Sequence, residues 1–216
     1  MQIFDLTHTI REDMPVYPGT RPPQLSTAFS YEKYGFRETL LTMLTHTGTH
    51  IDAPAHLYAD KKTLDALPAA QFIGKALVID CRSVPENGSI SMRELAPYGE
   101  QIHQVDFLLF CTGWDQKWGT PDYYKGFPCV DEEVFDLILR GSYKGIGFDT
   151  ISLDPVSDSA LTYHNRLFAE KEIINIENLK DLHLLGDCPV MFACPPLKVE
   201  NADGGPTRAI AWREDV

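Results

Sequence analysis

The sequence has little that would carry it into a membrane, onto nucleic acid or out of the cell. Its longest apolar stretches, such as Phe107-Leu108-Leu109-Phe110-Cys111, fall far short of the ~20 residues a spanning helix needs. The opening Met1-Gln2-Ile3-Phe4-Asp5 has neither the basic flank nor the apolar segment of a secretory signal, so none is expected. Basic residues are in deficit, 19 against 31 acidic in 216 residues, for a net charge of −12. That balance argues against nucleic acid, whose phosphates call for clustered Lys and Arg. The five cysteines, at 81, 111, 129, 188 and 194, include no Cys-x-x-Cys pair. Neither a disulfide framework nor a thiolate zinc site is therefore expected, and a reducing cytoplasm is the compartment that fits. A Gly-x-Ser-x-Gly turn and a basic, glycine-rich phosphate loop are also missing, which leaves a serine nucleophile and a polyanionic substrate without support.

What is present describes a globular chain. Hydrophobic content of 44% and charged content of 23% are ordinary values for a folded protein, and the length suits a single domain over 1–216. Fifteen Pro and fifteen Gly cut the chain into short pieces, favouring strands and tight turns over long helices. Strands are expected at 40–44, 76–81, 107–112, 145–153, 173–176, 190–194 and 209–212, several as unbroken apolar runs covered on both faces. Ser91 with Glu94 forms a capping-box pattern for a short helix. Asp131 to Arg140 carries an Asp cap, an acidic first turn and a closing Arg-Gly. A shorter helix is expected over 163–171. Strands interspersed with short helices predict an α/β class with mixed sheets. The segment Met14 to Pro23 holds four prolines and reads as an irregular loop of the kind that often carries function.

Three of the seven histidines fall within the eleven residues His46-Thr47-Gly48-Thr49-His50-Ile51-Asp52-Ala53-Pro54-Ala55-His56. Gly48, two threonines and Pro54 oppose a helix. As extended chain, positions 46, 48, 50 and 52 share a face, with Gly48 leaving room for an ion among His46, His50 and Asp52. Two imidazoles and a carboxylate suit Zn²⁺ or Mn²⁺. Beyond Pro54 the chain can turn, which frees His56 to serve as an acid/base. Glu177 follows the apolar run Ile173-Ile174-Asn175-Ile176 and should end a buried strand, where a carboxylate is costly unless paired or ligating. Taken alone, Glu177 reads more readily as a strand-end surface residue and His164 as a helix-surface histidine.

The segment HTGTHIDAPAH resembles the His-x-Gly-Thr-His-x-Asp-x-Pro-x-His signature of the cyclase-family metal hydrolases, which include bacterial kynurenine formamidases and isatin hydrolases. The likeness continues in Asp5-Leu6-Thr7, Met14 to Gly19, Thr112 to Asp115, Gly147 to Asp154, His164 with Glu177-Asn178-Leu179, and Ala202 to Ala209. The resemblance implies a swivelling β/β/α fold, usually a homodimer or higher oligomer. It implies that His46, His50, Asp52 and Glu177 hold a first divalent ion and His164 a second, with Asp52 and Glu177 shared, giving two ions per chain. It makes His56 the catalytic acid/base and puts Tyr17 where the formamidases contact substrate, usually through Trp. His164 and Glu177 are thirteen residues apart, one more than in the formamidase pattern.

Charge counting agrees with a hydrolytic centre: two carboxylates against two divalent ions leave an excess of +2, which acidifies a coordinated water. The activity implied is amide hydrolysis of a small substrate, most like an arylformamidase converting N-formylkynurenine to kynurenine and formate in tryptophan catabolism. Ring opening of a cyclic amide of the isatin type and a metal-holding module without turnover are the alternatives. Tyr17, Phe36, Trp114 and Trp118 are the aromatic candidates for an aryl pocket.

Overall fold

The computed structural model describes residues 1–213. In chain order the strands and helices are β1 (Gln2–Asp5), β2 (Gln24–Phe29), α1 (Tyr31–Tyr34), β3 (Glu38–Thr42), β4 (His50–Asp52), β5 (Ile73–Asp80), β6 (Ser89–Ile90) and α2 (Met92–Leu95). There follow β7 (Phe107–Cys111), β8 (Cys129–Val130), α3 (Glu132–Arg140), β9 (Gly145–Phe148), α4 (Thr162–Glu170), β10 (Ile174–Glu177), β11 (Val190–Ala193), β12 (Gly204–Pro206) and β13 (Ile210–Arg213). Nine strands make one sheet in the order β1-β13-β11-β5-β7-β9-β10-β4-β12. Its centre, β5-β7-β9-β10, is parallel, and the strands on either side pair antiparallel. This is the α/β arrangement of mixed sheet and few short helices that the sequence predicts.

The central strands are covered on both faces, as their unbroken apolar runs require. In β7, Phe107, Leu109 and Cys111 join one core cluster, with Ile51, Ile174 and Phe192. Leu108 and Phe110 point the other way, into a second cluster closed by Val134, Phe135 and Ile138 of α3 and Leu167 and Phe168 of α4. Asp131 caps α3 by accepting the Val134 N–H at 2.9 Å, and Ser91 and Glu94 form the expected capping box on α2. Helix α4 spans 162–170, one residue earlier than predicted.

Three expectations are revised. The strand placed at 40–44 lies at Glu38–Thr42, and its partner is β2, in a hairpin outside the main sheet. Every residue of both hairpin strands is exposed; apolar content here marks an outward-facing arm rather than core. The strand placed at 145–153 ends at Phe148, because Asp149 turns inward to accept N–H groups from Thr112 and Gly113. The five cysteines, read from their mostly apolar neighbours as small core residues, are all free; Cys81, Cys111 and Cys194 are buried, whereas Cys188 is exposed.

Candidate metal centre

Strand β4 runs between β10 and β12, with Glu177 opposite His50 and Asn175 opposite Asp52. Strand side chains alternate faces, so His50, Asp52, Asn175 and Glu177 stand together while Ile51, Ile174 and Ile176 enter the core behind them. Helix α4 crosses above. Its buried residues are His164, Leu167 and Phe168, a spacing that puts all three on one face and adds the imidazole to the strand cluster. The thirteen-residue separation of His164 and Glu177 therefore closes, with His164 Nε2 3.1 Å from Glu177 Oε1.

The expectation of a continuous extended face from 46 to 52 is corrected. Only His50–Asp52 is strand, and Gly48 has φ +66°, a turn conformation that favours glycine. A Cβ on Gly48 would meet Met14 Cε at 3.0 Å, so this glycine clears Met14 rather than an ion. The residue that clears the cluster is Gly204, where a Cβ would lie 2.5 Å from His46 Cε1. His46 reaches Asp52 from the preceding loop, its Nδ1 2.6 Å from Asp52 Oδ1.

Two donor groups share Asp52, each with its atoms within 4.8 Å of one another: His46, His50 and Asp52, and Asp52, His164 and Glu177. The two carboxylates face both groups. Asp52 Oδ1 lies 3.2 Å from His50 Nε2, while Oδ2 lies 3.5 Å from His164 Nε2. Glu177 Oε2 lies 3.6 Å from His50 Nε2, while Oε1 is on the His164 side. His50, Asp52, His164 and Glu177 are each at most 5% exposed.

This set fits divalent ions on three grounds. Nitrogen and oxygen donors without thiolate suit zinc- or manganese-type cations. Each imidazole has its far nitrogen engaged, the arrangement that fixes ligating histidines: His46 Nε2 lies 3.0 Å from Asp203 Oδ2, His50 Nδ1 2.8 Å from the Gly48 carbonyl, and His164 Nδ1 2.6 Å from Asp154 Oδ2. The cluster also calls for positive charge. Burial opposes charge on His46, but Asp52 and Asp203 outweigh it and raise the imidazole to about 10. Burial likewise opposes charge on His164, yet Asp154, Asp52 and Glu177 hold it well above the ordinary range. Burial works against the Asp52 carboxylate too, and His46 and His50 nonetheless hold it far down. A divalent cation answers the same demand, displacing protons as it binds.

His56 ends a one-turn helix at Pro54–His56 and stands beside the cluster, its ring centroid 4.0 Å from that of His46 and its Nδ1 3.6 Å from Asp203 Oδ2. Burial holds its imidazole below the usual 6.5, against the pull of Asp52. Tyr17 lies in the 14–23 loop, which with Pro15, Val16 and Pro18 forms one wall of a cavity of about 680 Å³ floored by the cluster. The other aromatic candidates lie elsewhere: Trp114 packs in a core cluster with Tyr123 and Phe127, Trp118 stacks on His8, and Phe36 joins Phe29 and Tyr34 on the hairpin.

Four residues of the site carry no individual role in the sequence reading. Asn175 donates to Asp52 Oδ2 and Glu177 Oε1, both at 2.9 Å, and its buried Oδ1 has no partner among the described residues. Asp154 accepts the N–H groups of Tyr163 and His164 at the first turn of α4. Asp203 bonds His46, and Gly204 makes room for it. Only Asn175 had a readable signal, the alternation of Asn175 and Glu177 with Ile174 and Ile176.

The Cyclase family model matches residues 4–155. The kynurenine formamidase of Bacillus cereus is 30% identical over 208 residues, 96% of this chain and 95% of its own. That of Geobacillus thermodenitrificans is 31% identical over 210 residues, 95% of each chain. A structure described as a potential metal-dependent hydrolase with cyclase activity superposes with a TM-score of 0.79 at 26% identity, covering 99% of both chains. Isatin hydrolase A from Labrenzia aggregata, at 24% identity and a TM-score of 0.86 over 97% of this chain and 93% of its own, shares the fold. The chain belongs to the cyclase family of metal-dependent hydrolases.

Proposed function

We propose that this protein, read as one domain over 1–216, hydrolyses the amide bond of a small N-formylated arylamine. N-formylkynurenine, cleaved to kynurenine and formate as in tryptophan catabolism, is the reference substrate. The observation that carries this reading is the buried cluster of three imidazoles and two carboxylates that floors the cavity with His56 at its edge. The formamidase names of the full-length relatives support the choice of bond.

His46, His50 and Asp52 hold one divalent ion and His164 a second, with Asp52 and Glu177 facing both; zinc and manganese each suit this set. Such ions would supply Lewis acidity for the amide carbonyl and lower the pKa of water to roughly 7. His56, held neutral by burial, takes a proton from the attacking water and delivers it to the leaving nitrogen as the C–N bond breaks. Tyr17, on the cavity wall, packs against the aryl ring. Purified protein supplied with Zn²⁺ or Mn²⁺ should release formate from N-formylkynurenine. Turnover of isatin with none of any formamide would make it a cyclic-amide hydrolase, and tight metal binding without turnover of either would make it a binding module.

We further propose that the chain works as a homodimer or higher oligomer through the β2–β3 hairpin. This arm exposes Leu25, Phe29, Leu40 and Leu41 with Tyr34 and Phe36, an apolar surface of the kind that marks an interface. It leads directly into Leu44, Thr45 and His46 at the cavity, so assembly and site formation are linked. Leu40→Asp should shift the sedimenting species toward monomer; a wild-type chain that sediments as a monomer at micromolar concentration would contradict the proposal.

A further inference from the structure

We infer that Asn175 is a further ligand of the ion held by His164, binding it through the side-chain carbonyl oxygen. This rests on the metal-dependent reading above and adds a neutral donor to the imidazoles and carboxylates already described.

Asn175 stands in β10 with no exposed surface, between Ile174 and Ile176 of the core. A side-chain amide there is costly unless both of its ends are bonded. Only one end is. Nδ2 lies 2.9 Å from Asp52 Oδ2, 2.9 Å from Glu177 Oε1 and 3.1 Å from His164 Nε2, so it faces all three residues of the second donor group. Oδ1 is buried and has no partner among the described residues. An amide nitrogen has two hydrogens, one fewer than the electron-rich atoms that converge on it here, and such a place suits a cation better than an N–H group.

An ion among these atoms and an NH2 group facing them exclude one another, because the amide hydrogens would point at the cation. Asn175 can resolve the conflict without moving the backbone. A half turn about its Cβ–Cγ bond exchanges the nitrogen and the oxygen nearly in place. The carbonyl oxygen then completes a set of four donors. Ligands about 2.0–2.1 Å from a tetrahedral ion lie about 3.4 Å from one another. In this structure the inward end of the amide is 2.9–3.1 Å from the other three donors. His164 Nε2 is 3.1 Å from Glu177 Oε1 and 3.5 Å from Asp52 Oδ2. A small expansion of this set therefore admits the ion. Nothing is given up on the far side, where Oδ1 has no bond to lose. Being neutral, the amide also leaves intact the positive excess that acidifies a coordinated water.

The test is Zn²⁺ binding to the metal-stripped full chain, by competition with a chelator, in wild type, Asn175→Leu and Asn175→Asp. Leucine keeps the volume and removes the donor, whereas aspartate keeps an oxygen and adds charge. We expect Asn175→Leu to weaken one of the two binding steps at least about tenfold and to leave the other within about threefold. Asn175→Asp should bind both ions at least as tightly as wild type. Two unchanged steps in Asn175→Leu would overturn the inference. So would weaker binding in both variants, which would make Asn175 a donor that orients Asp52 and Glu177 through Nδ2. Should circular dichroism show either variant unfolded, a crystal structure of the Zn²⁺-loaded wild type decides. Oδ1 within about 2.3 Å of an ion supports the inference; an ion at His164 that Asn175 does not touch, or no ion there, overturns it. Catalysis is a separate result: a protein that binds metal through Oδ1 but turns over no formamide keeps this ligand and ends the hydrolase reading.

Discussion

Asp52→Asn should leave the protein folded and nearly inactive. Asp52 turns one oxygen toward His46 and His50 and the other toward His164, so an amide here weakens both donor groups at once. Replacing a carboxylate by an amide halves the anionic charge that Asp52 and Glu177 supply together. Groups that only orient ligands typically contribute about 10–100-fold to metal affinity, and a carboxylate facing both ions should exceed that range. We expect metal affinity to fall more than about a hundredfold, read by competition with a chelator. The fold should persist because Ile51, the residue of β4 that enters the core, is untouched, and far-UV circular dichroism checks this. Unchanged metal affinity in a folded Asp52→Asn protein would remove Asp52 from the ligand set.

His56→Ala should have the opposite signature, with metal retained and turnover lost. The imidazole stands next to His46, not among the two groups formed by His46, His50 and Asp52 and by Asp52, His164 and Glu177. It does form a third possible group with His46 and Asp203, so the variant discriminates between two roles. As an acid/base it contributes about 10²–10⁴-fold to kcat, with metal content and substrate KM little changed. Loss of metal on mutation would instead make His56 a ligand and move the proton transfer to another group.

How much of this was readable before the structure depends on the distance over which each feature is determined. The β7 run and the capped α3 are local patterns, and both stand close to where the sequence puts them. His50 and Asp52 share a face because strand alternation is local as well. His46 does not belong to that face. Its place depends on a turn at Gly48 and on Gly204, 156 residues beyond, whose missing side chain no local pattern connects to a histidine. His164 and Asp154 meet through the first turn of α4, and Glu177 meets His50 through the antiparallel pairing of β4 with β10. These are tertiary contacts, and the family resemblance supplied what spacing alone left open. The hairpin misled for a related reason: apolar residues at strand spacing do not say whether the strand joins the main sheet or stands outside it.

If the two donor groups hold divalent metal, as we propose, the metal is what makes the cluster hydrolytic. The direct measurement strips the protein with a chelator, restores Zn²⁺ or Mn²⁺ in steps, and follows bound metal by elemental analysis alongside formate release from N-formylkynurenine or formanilide. We expect no turnover in the stripped protein and a rise in activity that reaches its plateau at two ions per chain. Full activity in the metal-free protein would contradict it, and a plateau at one ion per chain would contradict the placement of a second ion at His164.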